Sequence, residues 1–252
     1  MNDPHNDEDL QARLYREFER IGKALASRRR LEMLHVLAQG ERTVQEVSER
    51  TGLSVANASH HLRRLLETRL VEVRRDGREA YYRLGSPSVF ELWRMLRSVA
   101  EERLAEVDRV VAEYVQDRRR FSAVSLGDLK ELYDRGEVVL IDVRPEEEYR
   151  AGHIEGAESI PLERIEGLLD RLPGDRKIVA YCRGPYCLLS DEAVERLREG
   201  GLWARRLEIG YPEWRAEGLP VAEGAPPADS APVAESHPGG ASPQGARTGA
   251  SA

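Results

Sequence analysis

Apolar residues recur at helical spacing along the first part of the chain. Over residues 10–25, and again around Leu31, Leu34 and Leu37, they fall three or four positions apart. That spacing places them on one face of a helix and predicts two amphipathic helices. Residues 1–9 are polar and acidic and are expected to be frayed.

Two shorter helices joined by a tight turn are predicted next. Thr43 and Glu46 have the spacing of a capping box, which begins a helix, and Gly52 ends that helix. Ser54 is placed to cap the following helix, which continues to about Glu67. The apolar positions of that helix expected to face inward are Ala58, Leu62 and Leu65.

A hairpin and a long helix complete this part of the pattern. Two β-prone runs flank Asp76 and Gly77, a pair that favours the positive φ of a tight hairpin turn. One helix is then predicted over residues 88–116, with an apolar stripe that runs through Leu104. Such a stripe is too long for a lone helix on a small domain, which indicates pairing with a second subunit as a homodimer.

Beyond residues 118–120 the pattern changes to strands that alternate with helices. This alternation predicts an α/β domain with a parallel sheet. Strands are predicted in EVVLIDVR, GAESIPL, RKIVAYC and WARRLEIG, helices in SLGDLKELYDRG, LERIEGLLDRL and LLSDEAVERLREGG, a short helix or turn in PEEEYRAG, and a terminal turn in YPEWRAEG.

Composition divides the chain in the same way. Residues 1–120 hold 23 basic and 21 acidic side chains, whereas the remainder holds 15 and 24. The fold class is therefore two domains: residues 10–118 are mostly helical with a hairpin, and residues 122–222 are α/β. Residues 223–252, rich in Ala, Gly, Pro and Ser, are expected to form a disordered tail.

The chain shows neither an apolar run of membrane-spanning length nor a secretory signal at its N-terminus. A cytoplasmic location without membrane association is therefore expected. A permanent structural disulfide is not expected in that reducing compartment.

Polar residues on the helix over 54–67 and on the hairpin suit duplex DNA. A helix fits the major groove, where base edges differ, and arginines at a hairpin tip suit phosphates. The candidate DNA-binding residues are Ser54, Asn57, Ser59, His60, Arg63, Arg64, Arg74, Arg75 and Arg78. A protein-binding module of the same shape is the alternative.

The stretch LSVANASHHLRRLLETRLV, with the R-x-G-R hairpin and YYRL after it, resembles the ArsR family of bacterial dimeric repressors. The resemblance implies a winged helix-turn-helix that binds a double-stranded DNA operator and dimerises through its terminal helices. Metal-sensing members carry paired cysteines, or histidine and acidic ligands on the last helix. This part of the chain has no cysteine and its last helix no histidine, so no metal site and no cofactor are expected.

The two cysteines of the chain, Cys182 and Cys187, lie between a predicted strand and a predicted helix. That edge of an α/β sheet is where ligands bind, and amides and a helix N-terminus there lower the pKa of a thiol. Arg183 adds a positive charge. The loop is completed by Gly184, Pro185 and Tyr186. One such pair of cysteines would supply only half of a structural zinc site.

The stretches LIDVRPEEEYRAGHIEGAESIPL, IVAYCRGPYC and LEIGYPEWRAEGLPV closely resemble a single-domain rhodanese. The resemblance implies that Cys182 is a nucleophile that takes sulfane sulfur from a donor and passes it to a thiol acceptor. Many rhodaneses carry arginine where this chain has Cys187. Asp142 and Arg144 are expected to stabilise a strand end, and His153 is given no catalytic role.

Three hypotheses follow from the sequence. The first is a transcriptional regulator, interpreted as a repressor, in which sulfur chemistry at Cys182 and Cys187 changes DNA binding. The second is a thiosulfate or polysulfide sulfurtransferase with an attached DNA-binding domain, and the third is a degenerate rhodanese that only binds a partner. The intact loop around Cys182 favours the first two.

Overall fold

The computed structural model describes residues 4–114 and 123–225. Three parts of the sequence predictions lie outside the described residues. They are residues 118–120, the last two residues of the helix predicted over 88–116, and the predicted tail from residue 226 onward. We refer to residues 4–114 as the N-terminal half and to residues 123–225 as the C-terminal half. No helix within these two ranges is long and apolar enough to cross a membrane.

The N-terminal half is a winged helix-turn-helix. Its antiparallel sheet has the strand order β1-β3-β2, and helices cover one side of it. The elements are α1 (Pro4–Leu25), α2 (Arg28–Ala38), β1 (Arg42–Thr43), α3 (Val44–Thr51), α4 (Val55–Glu67), β2 (Val71–Asp76), β3 (Glu79–Leu84), α5 (Pro87–Arg103) and α6 (Ala105–Tyr114).

The caps predicted around α3 and α4 are confirmed. The Thr43 side chain accepts from the Glu46 amide at 3.3 Å, and the Glu46 carboxylate accepts from the Thr43 amide at 2.7 Å. Gly52 ends α3 in the left-handed region with φ 64°, and the Ser54 hydroxyl accepts from the Asn57 amide. These local bonds set the turn that separates α3 from α4.

The core of the N-terminal half joins α4 to α2. Ala58, Leu62 and Leu65 are fully buried, as their spacing predicts, and they pack in one cluster with Leu34 and Leu37 of α2. The predicted hairpin is also confirmed, because Gly77 turns between β2 and β3 with φ 59°.

Two predictions for the terminal helices are wrong. Helix α1 begins at Pro4, within the segment expected to be frayed, and proline is tolerated in the first turn of a helix because the amide it lacks has no partner there. The single helix predicted over 88–116 is interrupted at Leu104, which is extended with φ −113° and ψ 101°. Its carbonyl accepts from the Val107 amide, and α6 begins at the next residue, Ala105. The break contains neither proline nor glycine, so the sequence did not signal it.

The C-terminal half contains a four-stranded parallel sheet with the order β6-β4-β7-β8. Because the strands are parallel, their carboxyl ends meet at one edge. The elements are α7 (Leu126–Asp134), β4 (Val138–Asp142), α8 (Glu146–Ala151), β5 (His153–Ile154), β6 (Glu158–Ser159), β7 (Lys177–Tyr181), α9 (Leu188–Glu199), β8 (Ala204–Arg206), α10 (Tyr211–Ala216) and β9 (Val221–Ala222).

Both faces of this sheet are buried, as expected when helices cover both sides. Ile141 and Ile178 pack on one face, and Leu140 and Val179 pack on the other. The α-helix predicted in LERIEGLLDRL is instead two 3-10 helices, Leu162–Arg164 and Glu166–Arg171. Gly167 weakens helix formation in this segment. The predicted terminal turn in YPEWRAEG is the short helix α10.

Candidate functional site

The two cysteines lie at the carboxyl edge of the parallel sheet. Cys182 directly follows β7 and is buried, and Cys187 precedes the first residue of α9. Their Cα atoms are 6.4 Å apart and their sulfur atoms are joined as a disulfide. This separation lies within the range that a disulfide spans. We call residues 182–187 the cysteine loop.

Close backbone contacts shape the cysteine loop. Gly184 has φ +153°, and a Cβ atom on Gly210 would overlap the backbone of residues 182–184. Glycine is therefore required at position 210 for the chain there to lie this close to the backbone of the cysteine loop. The Cys182 carbonyl also accepts from the Tyr211 amide at 3.0 Å, so α10 begins against the loop.

The loop ends at the N-terminus of a 12-residue helix, α9. A helix N-terminus carries partial positive charge and favours an anion nearby. The Cys187 amide donates to the Gly184 carbonyl at 3.1 Å, which curls the loop toward that helix. This placement favours thiolate or persulfide anions when the disulfide is open.

The Arg183 side chain is held by Glu148 of α8. Its Nε and Nη2 atoms donate to the Glu148 carboxylate at 2.7 to 3.1 Å, and that carboxylate is fully buried. Arg50 of α3 binds the same carboxylate. Burial alone would raise the pKa of Glu148, but the hydrogen bond and charge of Arg183, with the charges of Arg50 and Arg144, lower it. The positive charge of Arg183 is thus balanced by Glu148 and does not act on Cys182 alone.

The backbone of the cysteine loop binds α2 of the N-terminal half. The Arg183 carbonyl accepts from His35 Nε2 and from Gln39 Nε2, both at 3.1 Å. The Gln39 side chain is buried, and its Oε1 atom accepts from Arg144 Nη1 at 3.4 Å. Both ends of the Gln39 amide are therefore bonded to the C-terminal half. Burial lowers the pKa of His35, whose ring stacks on Trp93.

Helix α5 meets the other side of the loop. The Tyr186 hydroxyl donates to Glu101 at 2.6 Å, and Arg97 donates to Glu213 of α10 at 2.8 Å. Burial, followed by the hydrogen bond to Glu101, raises the pKa of Tyr186 to about 12. Sequence patterns did not identify Gln39, Arg50, Glu101 or Glu148 as functional residues, because their partners lie far away along the chain.

Asp142 and Arg144 lie at a strand end, as the sequence predicts. Arg144 is fully buried and pairs with Asp142 at 2.6 Å, so the two residues stabilise the end of β4. His153 is buried against Tyr149, with their ring centroids 3.6 Å apart, and its Nδ1 donates to the Tyr149 carbonyl.

Helix α4 presents a polar face opposite its buried face. Ser59 is half-buried, and the Ser54 hydroxyl is engaged in capping the helix. Arg74 on β2 donates to Glu41 at 2.9 Å and to Asp76 at 3.2 Å. The predicted DNA-binding residues that are exposed to solvent are Ser54, Asn57, His60, Arg63, Arg64, Arg74, Arg75 and Arg78.

The described ranges contain no group of three or more histidine, cysteine, aspartate or glutamate residues that could hold a metal ion.

The fold and these sites define a winged helix-turn-helix regulator joined to a rhodanese-like domain. The family model described as "Bacterial regulatory protein, arsR family" matches residues 27–73, and that of the "Rhodanese-like domain" matches residues 125–217. The chain is 44% identical over 213 residues to the HTH-type transcriptional regulator Rv0324 of Mycobacterium tuberculosis, covering 84% of this chain and 93% of that relative. The chain belongs to the ArsR family of transcriptional regulators and carries a rhodanese-like domain.

Two further comparisons concern the N-terminal half. The chain is 37% identical over 89 residues to a probable mercury resistance operon repressor of Streptomyces lividans, covering 35% of this chain and 71% of that relative. It is 42% identical to the homodimeric winged helix-turn-helix DNA-binding domain of Mb0332 from Mycobacterium bovis, solved by NMR. That match covers 37% of this chain and 87% of the solved chain, with a TM-score of 0.36.

Replacing Glu148 tests the link between the two halves. We expect Glu148→Gln to lower the free energy of unfolding at neutral pH by about 3–5 kcal/mol, because Arg50 and Arg183 lose the charge they share. Since folding lowers the pKa of Glu148, its contribution is present above the pKa of the unfolded chain and is lost as the pH falls through the folded pKa.

Urea unfolding at several values between about pH 7 and pH 3 measures both effects. The loss of stability on acidification should be smaller in Glu148→Gln than in the unmodified protein. Glu147→Gln is the matched control, since that neighbour is 59% exposed. An equally steep acid dependence in both the Glu148→Gln and the unmodified protein would contradict the assignment.

Proposed function

We propose that this protein is a cytoplasmic transcriptional repressor that binds a double-stranded DNA operator as a homodimer and responds to reactive sulfur. The polar face of α4 supports contact with base edges in the major groove. The exposed arginines of the hairpin support contacts with phosphates. Repression is inferred from the similarity to the Streptomyces lividans protein, a probable mercury resistance operon repressor.

Exposed apolar side chains support the homodimer. They lie on α1 and α5, the helices that the family resemblance assigns to dimerisation, and such surface is rarely left uncovered in a protein that acts alone. The solved Mb0332 domain is homodimeric. The largest exposed apolar side chains on these two helices are Leu10, Leu14, Tyr15, Phe18, Leu92, Met95, Leu96 and Val99.

The sulfur chemistry is assigned to Cys182. Its thiolate attacks the sulfane sulfur of a donor such as polysulfide or thiosulfate, and the donor's sulfur–sulfur bond breaks. The leaving group, a shorter polysulfide or sulfite, departs with the electron pair, and Cys182 becomes a persulfide. A thiol acceptor can then take the outer sulfur. The position of Cys182 at the end of β7, in the loop that leads to the N-terminus of α9, supports this role.

Cys187 is assigned as the resolving thiol. Its thiolate attacks the inner sulfur of the Cys182 persulfide, hydrosulfide leaves with the electron pair, and a disulfide forms. The separation of 6.4 Å between the Cα atoms of Cys182 and Cys187, which a disulfide can span, is the observation that carries this proposal. A bond that forms and opens in this way suits a reducing compartment better than a permanent one.

Contact between the cysteine loop and α2 supports a response in DNA binding. The Arg183 carbonyl binds His35 and Gln39, so a loop that changes shape changes these two hydrogen bonds. A sulfurtransferase tethered to a repressor is the second candidate, favoured by the same placement of Cys182 between β7 and α9. The two functions differ in whether sulfur on the loop changes operator affinity.

Arginine variants test DNA binding. We expect Arg75→Ala to reduce the slope of log affinity against log salt by about 1 without changing which site is preferred, because it removes one phosphate contact. Arg63→Ala should instead change the preferred site by about 1–3 kcal/mol per base contact. Arg135→Ala, 54% exposed on the C-terminal half, is the control. Fluorescence anisotropy measures the affinity of each variant for DNA. Equal affinity for all DNA sequences taken from upstream of genes would exclude the repressor function.

Cysteine variants test the sulfur chemistry. After reduction and exposure to polysulfide, we expect mass spectrometry to find no added sulfur on Cys182→Ser and a persulfide that persists on Cys187→Ser. Operator affinity should respond to polysulfide in the unmodified protein and respond less in Cys187→Ser. Sulfur found on Cys187 with Cys182 unmodified would overturn the assignment. If the protein with both cysteines replaced responds like the unmodified one, the sulfurtransferase function is favoured.

Replacing Gln39 tests the coupling. Gln39→Met keeps the length of the side chain but removes both hydrogen bonds to the C-terminal half. We expect persulfide formation on Cys182 to persist and the effect of polysulfide on operator affinity to shrink. Gln11→Met, an exposed glutamine on α1, should leave both unchanged. A full response in Gln39→Met would show that the signal takes another path.

A further inference from the structure

One face of the hairpin formed by β2 and β3 carries more acidic than basic side chains. Residues at alternate positions of a strand share a face, and the strand register places three cross-strand pairs on this one. The pairs are Glu72 with Arg83, Arg74 with Tyr81, and Asp76 with Glu79. Glu41, which precedes β1, reaches the same face, since its carboxylate lies 2.9 Å from Arg74 and 3.7 Å from Arg83. These residues supply four carboxylates and two guanidinium groups, and we call this the acidic face.

The Arg74 side chain is held on the acidic face by two carboxylates and a ring. Its Nε and Nη2 atoms donate to one oxygen of Glu41 at 3.1 and 2.9 Å, and its Nη1 atom donates to Asp76 at 3.2 Å. Its guanidinium carbon lies 4.8 Å from the centre of the Tyr81 ring. The hydrogen bond to Glu41, followed by that to Asp76, raises the pKa of Arg74. A single surface ion pair contributes little to stability, but a network of several charges restrains its members more firmly.

The hairpin itself needs the charge of Arg74. Asp76 and Glu79 lie directly opposite each other at the turn, and like charges in that position destabilise a hairpin. Arg74 compensates the charge of Asp76, and the Tyr81 hydroxyl donates to Glu79. Arg74 is therefore engaged within the hairpin on two sides, by Glu41 and by Asp76.

The other two arginines of the hairpin lack this restraint. Arg75 and Arg78 are exposed, and neither side chain forms an ion pair or a hydrogen bond with any residue in 4–114 or 123–225. Arg75 follows Arg74 along β2 and so lies on the opposite face, and Arg78 follows the turn residue Gly77. A DNA phosphate can approach these two guanidinium groups without displacing a carboxylate.

We propose that Glu41 is a positioning residue of the DNA interface, which keeps Arg74 on the acidic face so that Arg75 and Arg78 supply the hairpin's contacts with phosphates. This inference rests on the proposed binding of DNA. A phosphate offers Arg74 one negative charge, whereas Glu41 and Asp76 together already offer two. Since the release of counter-ions from DNA grows with the number of phosphates neutralised, Glu41 lowers both the affinity for duplex DNA and the dependence of that affinity on salt.

Salt titrations of DNA binding test this role. The full chain is titrated into a fluorescently labelled duplex of random sequence at several salt concentrations, which gives the slope of log affinity against log salt. Glu41→Gln keeps the shape of the side chain and removes its charge. We expect it to steepen the slope by about 1 and to raise the affinity about fivefold at about 0.15 M salt, because Arg74 becomes able to bind a phosphate.

Glu79→Gln is the matched control. It removes the same charge from the acidic face, but its partner is the Tyr81 hydroxyl and not an arginine. It should steepen the slope less than half as much as Glu41→Gln does. Arg74→Gln should leave the slope of the unmodified protein nearly unchanged and should abolish the effect of Glu41→Gln in the double variant. Circular dichroism checks that each variant is folded.

Three outcomes would overturn the role of Glu41 while leaving DNA binding intact. The first is an equal slope in Glu41→Gln and Glu79→Gln. The second is a slope that falls by about 1 in Arg74→Gln alone, since Arg74 would then already bind a phosphate. The third is a steepening by Glu41→Gln that persists without Arg74. Absence of DNA binding by the unmodified protein would instead reject the proposed function, and the role of Glu41 with it.

Discussion

The buried carboxylate of Glu148 determines how the two halves of this protein meet. It binds Arg50 of the helix-turn-helix and Arg183 of the cysteine loop, and it is fully buried. Removing one member of such a group leaves a buried charge without compensation, which lowers the free energy of unfolding by about 3–5 kcal/mol. Helix α3 and the cysteine loop are therefore positioned by a common partner, and neither can move far while the other remains bonded.

The helix caps and the hairpin turn could be predicted because each involves residues close together in sequence. The capping box of Thr43 and Glu46 spans three positions, and the hairpin turn at Gly77 depends on its own backbone. The loop around Cys182 was recognisable because a buried strand ends and a helix begins within a few residues. The burial of one face of α4 likewise follows from the helical spacing of its apolar residues.

The contact between the halves could not be predicted in this way. Arg50 and Glu148 are 98 positions apart, and Glu148 is one of three consecutive glutamates, of which only this one is fully buried. Charge alone does not distinguish these three residues; their position relative to the other half does. Gln39 follows the last residue of α2, where the sequence predicts only the end of a helix. The break at Leu104 had no signal either, since it depends on backbone bonds and not on a helix-breaking residue.

The response to sulfur that we propose depends on the backbone of the cysteine loop more than on its side chains. The carbonyl of Arg183 binds α2, so any chemistry that reshapes the loop reaches α2 without requiring a new side-chain contact. Leu34 and Leu37 of α2 pack in the same buried cluster as Ala58 and Leu62 of α4. Protein interiors are close-packed and transmit small displacements, so a shift of α2 must be accommodated by α4. In the response that we propose, a sulfur atom added to Cys182 changes the orientation of α4 through one carbonyl and one hydrophobic cluster.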